Sequence, residues 1–268
     1  MNKAIEHQQV DLKNAPNGHE SHPRDSILYM DGVSVSFDGF KALSELSLVV
    51  ERGEMRAVIG PNGAGKTTMM DVISGRTKPD QGRVIFSGKT DLTRLDESTI
   101  AELGIGRKFQ KPTVFEKQTV YQNLALALKS DRKVFQKLFR HLTKTSKVHL
   151  QEILDVISLS DQRNLLAGGL SHGQKQWLEI GMLLAQDPEF LMVDEPVAGM
   201  TDLETEQTVE LLRRISINRS VLVVEHDMEF VRALNTKVTV LHEGSVLAEG
   251  SMEFVQNNER VIDVYLGR

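Results

Sequence analysis

Gly60-Pro61-Asn62-Gly63-Ala64-Gly65-Lys66-Thr67 fits the pattern G-x-x-x-x-G-K-[ST]. Glycines let the backbone curl until successive N–H groups converge on one anion. A helix starting at the same place adds its positive end. The chemistry is phosphate binding. Lys66 supplies a mobile charge for β- and γ-phosphates, Thr67 a hydroxyl for Mg²⁺, and Thr68 a hydroxyl for the α- or β-phosphate. A glycine-rich turn with an incidental lysine is the simpler alternative. An apolar strand pattern before the loop and a helical pattern after it argue against that alternative.

A second cluster closes the apolar run Phe190-Leu191-Met192-Val193-Asp194-Glu195. Asp194 is placed to anchor Mg²⁺, through water, and Glu195 to polarise an attacking water. Such a run is common by itself. It gains weight 128 residues after Lys66, at the end of an expected core strand. Leu170-Ser171-His172-Gly173-Gln174 begins 24 residues before Asp194 and precedes a helix expected to reach Ala185. Ser171 suits the N-cap, with the Gly173 N–H facing outward as a second anion site. Alone, this is an ordinary capped helix.

These residues need strands to carry them. Leu28–Phe37 and Leu46–Val50 read as strands around the turn Asp38-Gly39, and Gly82–Gly88 as another. Met55–Gly60 feeds the phosphate loop and the helix Lys66–Ser74, a βα unit of a parallel sheet. Phe190–Val193 and Val221–Val224 are short apolar strands ending in acidic residues or histidine. Ligands of open parallel sheets gather beyond such carboxyl ends. Helix is expected from Val120 to about Ser158, with Phe135, Leu138, Phe139 and Leu142 on one amphipathic face. Seven basic residues between Lys129 and Lys147 read as a solvated face, with lipid headgroup contact as the minor alternative.

Composition removes other classes. The 268 residues carry a formal net charge of −5, so no global basic field recruits nucleic acid. There is no cysteine, which excludes disulfides, thiolate zinc sites and thiol catalysis. No apolar run reaches the ~20 residues of a membrane-spanning helix. Residues 1–26 read as a polar, disordered tail without the apolar middle of a secretion signal; its His7, His19 and His22 fit no compact metal site. Without an internal repeat, residues 27–268 read as one nucleotide-binding unit.

The order of phosphate loop, Gln110, Leu170–Gln174, Asp194-Glu195 and His226 resembles the ABC ATPases from about Leu28 onward. The third position of the signature is usually glycine, and His172 departs from it. The resemblance implies an α/β fold: a P-loop NTPase with a RecA-like, mostly parallel sheet core. An N-terminal antiparallel β subdomain and an α-helical subdomain inserted at about 111–168 complete it. It also implies ATP and Mg²⁺ as ligands. Gln110 then binds Mg²⁺ or the attacking water, and His226 senses the γ-phosphate. Asp202 resembles the aspartate that links two sites. Ser171, Gly173 and Gln174 contact the γ-phosphate held by a partner subunit. Phe37 is the candidate for stacking on adenine and Phe40 its competitor; both also suit a core.

The resemblance narrows to the ATPase subunits of importers for branched-chain amino acids, amides and urea. The carriers are Val224–Met228 and the end of the chain from Glu243 to Gly267. The run Ile105–Glu116 looks most like the urea type, with Gln174–Met182 and Val197–Asp202 in agreement. Implied partners are a second ATPase subunit (a paralogue in preference to a second copy), membrane-spanning permeases and, indirectly, a periplasmic solute-binding protein. The implied location is the cytoplasmic face of the inner membrane. A soluble ABC ATPase acting on nucleic acid or ribosomes is the alternative. The single unit and short helical insertion disfavour it.

Overall fold

A computed structural model describes residues 25–108, 113–128 and 143–266. The first strands, β1 (Ser26–Phe37) and β2 (Phe40–Glu51), form an antiparallel hairpin. Asp38 and Gly39 at its tip both have positive φ, the geometry of a two-residue turn that matches strand twist. The expected second strand, Leu46–Val50, is thus too short. Residues 40–45, half of them exposed, are also paired along the hairpin, with Ala42 and Leu43 buried. With β4 (Gln81–Phe86) and β5 (Thr90–Asp91) the order is β2-β1-β4-β5.

The second sheet holds β3 (Met55–Ile59), β6 (Ile105–Lys108), β7 (Phe190–Asp194), β8 (Ser220–Val224), β9 (Lys237–His242) and β10 (Ser245–Gly250). Their order is β10-β9-β3-β8-β7-β6, parallel except for the β9–β10 hairpin. β7 and β8 are buried at every position, as continuous apolar strands covered on both faces must be. Alternate side chains enter different cores. Ile59, Leu191, Val193, Val221 and Val223 face a helical layer. Val58, Phe190, Met192, Leu222 and Val224 face α1 (Lys66–Ile73) and the antiparallel sheet. Burying a side chain such as Phe190 contributes about 1.5–3 kcal/mol, so each strand is held in register from both sides.

The helical layer includes α3 (Val120–Ala127), α4 (Lys144–Val156), α5 (His172–Leu184), α6 (Asp202–Ser216) and α7 (Met228–Leu234). Between β5 and β6 lies α2 (Glu97–Glu102); α8 (Met252–Gln256) and α9 (Glu259–Leu266) follow β10. α3, α5 and α6 each open with a reciprocal cap: Thr119 with Gln122, Ser171 with Gln174, Thr201 with Glu204. The single helical stretch expected from Val120 to Ser158 is two helices where it is described. Leu128 leaves helical geometry (ψ 136), and Thr143 caps a new start. The amphipathic face of Phe135, Leu138, Phe139 and Leu142 lies outside the described residues, as does Gln110.

Candidate functional site

Three neighbouring strands bring the site together. In the order β3-β8-β7, the carboxyl ends lead into Gly60, Glu225-His226 and Asp194-Glu195. The loop after β3 folds tightly against the sheet. A Cβ at Gly60 would stand 2.4 Å from the Leu241 carbonyl oxygen, so only glycine fits. Gly65 caps α1 at φ 101, and its Cβ would meet the Ala42 carbonyl oxygen at 2.7 Å. Lys66 Nζ donates to the carbonyl oxygens of Gly60 (2.7 Å) and Pro61 (3.0 Å). Burial lowers the Lys66 pKa, while the carboxylates of Glu195, Asp194 and Glu225 oppose that shift.

Residues 62–68, with Asp194 and Glu195, line a cavity of 330 Å³. Thr67 is exposed at its wall, and Thr68 is half-buried. Phe37 and Phe40, paired across the hairpin tip, stand at the same cavity, 49% and 65% exposed. Both are therefore available to a flat ring and neither belongs to the core. Asp194 is buried, and desolvation raises its pKa; Arg107 Nη2, 3.9 Å away, opposes this. Arg107 is itself held by Asp71 Oδ1 (2.6 Å) and Ser74 Oγ (3.0 Å).

Glu195 has φ 45, a left-handed conformation that costs a non-glycine residue about 1–2 kcal/mol. Its N–H donates to the Val224 carbonyl, which pins that conformation to β8. Its Oε1 lies 3.5 Å from His226 Nδ1. Glu225, buried beside them, accepts the N–H groups of Val197 (3.3 Å), His226 (2.8 Å) and Asp227 (3.2 Å). Burial still raises its pKa despite those bonds. No motif named above assigns Glu225 a role; its only sequence signal is an acidic residue at a strand end, next to His226.

The donors fit Mg²⁺. Among the described residues no group of three or more His, Cys, Asp or Glu forms a metal cage. One hydroxyl (Thr67) and one carboxylate (Asp194) on the cavity wall match an ion that keeps waters and substrate phosphates as ligands.

Ser171, Gly173 and Gln174 do not line this cavity. Ser171 caps α5 as expected, and the Gln174 side chain is spent accepting the Ser171 N–H at 3.0 Å. Gly173 is packed closely against the carboxylate of Glu204, which accepts the Ser171 hydroxyl at 2.8 Å. A capped α6 start carries that carboxylate against α5, and no local pattern in residues 170–174 announces it. His172 Nε2 donates to the Ala198 carbonyl at 3.1 Å, so the unusual third residue ties α5 to the segment after Glu195. Asp202 is the first residue of α6, with Thr201 as its cap. It lines a separate groove together with Gly199 and His226.

The model for the ABC transporter family matches residues 43–198, and that for the branched-chain amino acid ATP-binding cassette transporter matches 245–268. The probable branched-chain amino acid transport ATP-binding protein LivG of Archaeoglobus fulgidus is 35% identical over 260 residues, covering 90% of this chain and 95% of that one. The lipopolysaccharide export system ATP-binding protein LptB of Haemophilus influenzae is 31% identical over 245 residues, covering 90% and 98%. In structure, the ADP conformation of MJ1267, an ATP-binding cassette of an ABC transporter, superposes with a TM-score of 0.79 at 30% identity. That match covers 91% of this chain and 99% of the other.

Proposed function

Because the chain belongs to the ABC transporter family of ATP-binding subunits, we propose that it hydrolyses ATP as half of a nucleotide-sandwiching pair that drives solute import. One observation carries the catalytic reading: Lys66, Asp194 and Glu195 surround a single cavity, with His226 in reach of Glu195.

The reaction is ATP + water → ADP + phosphate. Lys66 turns from the Gly60 and Pro61 carbonyls to the β- and γ-phosphates and offsets their charge. Glu195 takes a proton from water as its oxygen bonds to the γ-phosphorus and the bond to the β-phosphate oxygen breaks. His226 donates to the γ-phosphate and holds it in line. Mg²⁺ on Thr67 and Asp194 supplies further charge neutralisation when bound. Gln110 joins as a ligand of Mg²⁺ or the attacking water by family resemblance alone. Phe37 or Phe40 stacks on adenine.

The start of α5 does not line the chain's own phosphate-loop cavity, which supports the two-chain reading. Ser171, Gly173 and Gln174 serve the ATP held by a partner, and Asp202 faces the groove between the two sites. A paralogous ATPase is the preferred partner, with permeases above and a periplasmic binding protein beyond them. The assembly sits on the cytoplasmic face of the inner membrane.

The solute class rests on the carboxyl-terminal match and the named relatives, which favour branched-chain amino acids. Urea is the competing solute, supported by the Ile105–Glu116 run. The cassette does not touch the solute, and its identity is similar to a branched-chain amino acid transport protein and to a lipopolysaccharide export protein. Proteoliposomes holding the purified transporter and its binding protein test this with labelled leucine and labelled urea. ATP-dependent uptake of leucine supports the branched-chain reading and uptake of urea the alternative; uptake of neither removes both. Lys66→Met must abolish whichever uptake is seen.

A further inference from the structure

One carboxylate joins the starts of two helices. Glu204 Oε1 accepts the Ser171 hydroxyl at 2.8 Å and lies against Gly173 at the start of α5. Its Oε2 accepts the Thr201 N–H and hydroxyl, each at 3.1 Å, at the start of α6. The approach to α5 is close. A Cβ at position 173 would stand 2.6 Å from Glu204 Oε1, so glycine is what admits the carboxylate. A capping box needs only the Thr201 half of this arrangement. The reach to Ser171 and Gly173 is additional.

Ser171 and Gly173 are the residues assigned above to a partner's γ-phosphate. Ser171 has one O–H, which serves one strong acceptor at a time, and Glu204 Oε1 already fills the space beside Gly173. A phosphoryl oxygen and Glu204 Oε1 therefore compete for one position, and two anions side by side repel. We propose that Glu204 is a resident anion of the α5 start, which the arriving γ-phosphate displaces, so that it sets the ATP concentration at which the pair closes. This rests on the composite-site reading of Ser171 and Gly173. Rotation of the side chain frees Oε1 while Oε2 keeps its bonds to Thr201. The carboxylate thus has a resting position on two helices and a displaced position on one, and α6 stays capped in both. Glu204 acts through Ser171 and Gly173; it is a positioning residue and not a catalytic one.

The test uses the purified, fully assembled transporter and steady-state hydrolysis across ATP concentrations. Glu204→Gln removes the charge, and Glu204→Asp keeps it but shortens the reach to α5. Both lower the KM for ATP by about tenfold, the worth of one charge-assisted hydrogen bond, with kcat within about twofold. Thr201→Val weakens the same cap without touching the α5 donors and leaves KM at the wild-type value. Ser171→Ala raises KM or abolishes hydrolysis. If Ser171→Ala cripples the enzyme while Glu204→Gln and Glu204→Asp leave KM unchanged or raise it, the competition is wrong and the composite site stands. If Ser171→Ala behaves as wild type, the composite-site reading itself falls. A KM that drops equally in Thr201→Val reduces Glu204 to an ordinary cap and overturns the proposal.

Discussion

His226 Nδ1 stands 3.5 Å from Glu195 Oε1. The two residues follow different strands, β8 and β7, and meet because those strands are neighbours. The contact is supported from below. The Glu195 N–H is bonded to Val224 of β8, and buried Glu225 holds the backbone of His226 and Val197 together. The strained left-handed backbone of Glu195 is thereby fixed by the strand that also carries His226.

Glu195→Gln keeps the side-chain shape and removes the base. Hydrolysis falls by about 100-fold or more, while ATP remains bound. Phosphate release and the nucleotide retained through gel filtration measure the two effects. Turnover near the wild-type rate would take Glu195 out of the water-activating role.

Glu225 gives the stability of the protein a pH dependence of defined sign. Its folded-state pKa is raised above 4.5 by burial, so the folded chain holds this proton longer than the unfolded chain. The contribution is fully present below 4.5 and is lost as pH rises through the raised value. Denaturant unfolding across the acid-to-neutral range reads this as wild-type stability falling relative to Glu225→Gln. A wild-type stability that rises with pH relative to Glu225→Gln would contradict the sign.

Lys108 and Glu179 form a buried ion pair, 3.8 Å apart, between the end of β6 and the middle of α5. Glu179 also accepts the hydroxyl and N–H of Thr113. Lys108→Met leaves the carboxylate buried without that cation and destabilises by about 3–5 kcal/mol. The double variant Lys108→Met/Glu179→Leu recovers most or all of that loss, because neither desolvated charge remains. Guanidinium midpoints and slopes measure the cycle. A double variant less stable than Lys108→Met would show that the pair contributes more than its burial costs.

His172→Gly restores the usual third residue of the signature and removes the bond to the Ala198 carbonyl. The expected loss is about 0.5–1.5 kcal/mol from the hydrogen bond and up to ~1 kcal/mol from glycine in the first helical turn. Thermal unfolding of His172→Gly beside His172→Ala separates the two. Equal stability of wild type and His172→Ala would leave the Ala198 bond without energetic weight.

The phosphate loop, the Asp194-Glu195 pair and the Ser171 cap were legible in residue order because each is local. A glycine pattern, an acidic strand end and an S-x-x-Q cap need only their own few neighbours. β3, β7 and β8 were legible too, as short apolar runs; β6 and β9 are interrupted by polar residues that mask them, and the first half of β2 mixes the buried Ala42 and Leu43 with polar residues. The amino-acid sequence by itself thus determined the class of chemistry and the local motifs that point to it.

Tertiary structure decided what those residues touch. The sheet order β3-β8-β7 brought His226 to Glu195, and a strand order is set by packing of both faces and not by any local pattern. Burial of Glu225 and Lys108 depends on layers contributed by distant segments. The bond from His172 to Ala198 and the reach of Glu204 to Ser171 join residues 26 and 33 positions apart. Hydrogen bonds of that range follow from how helices dock, and they set a carboxylate against a helix start expected to face outward.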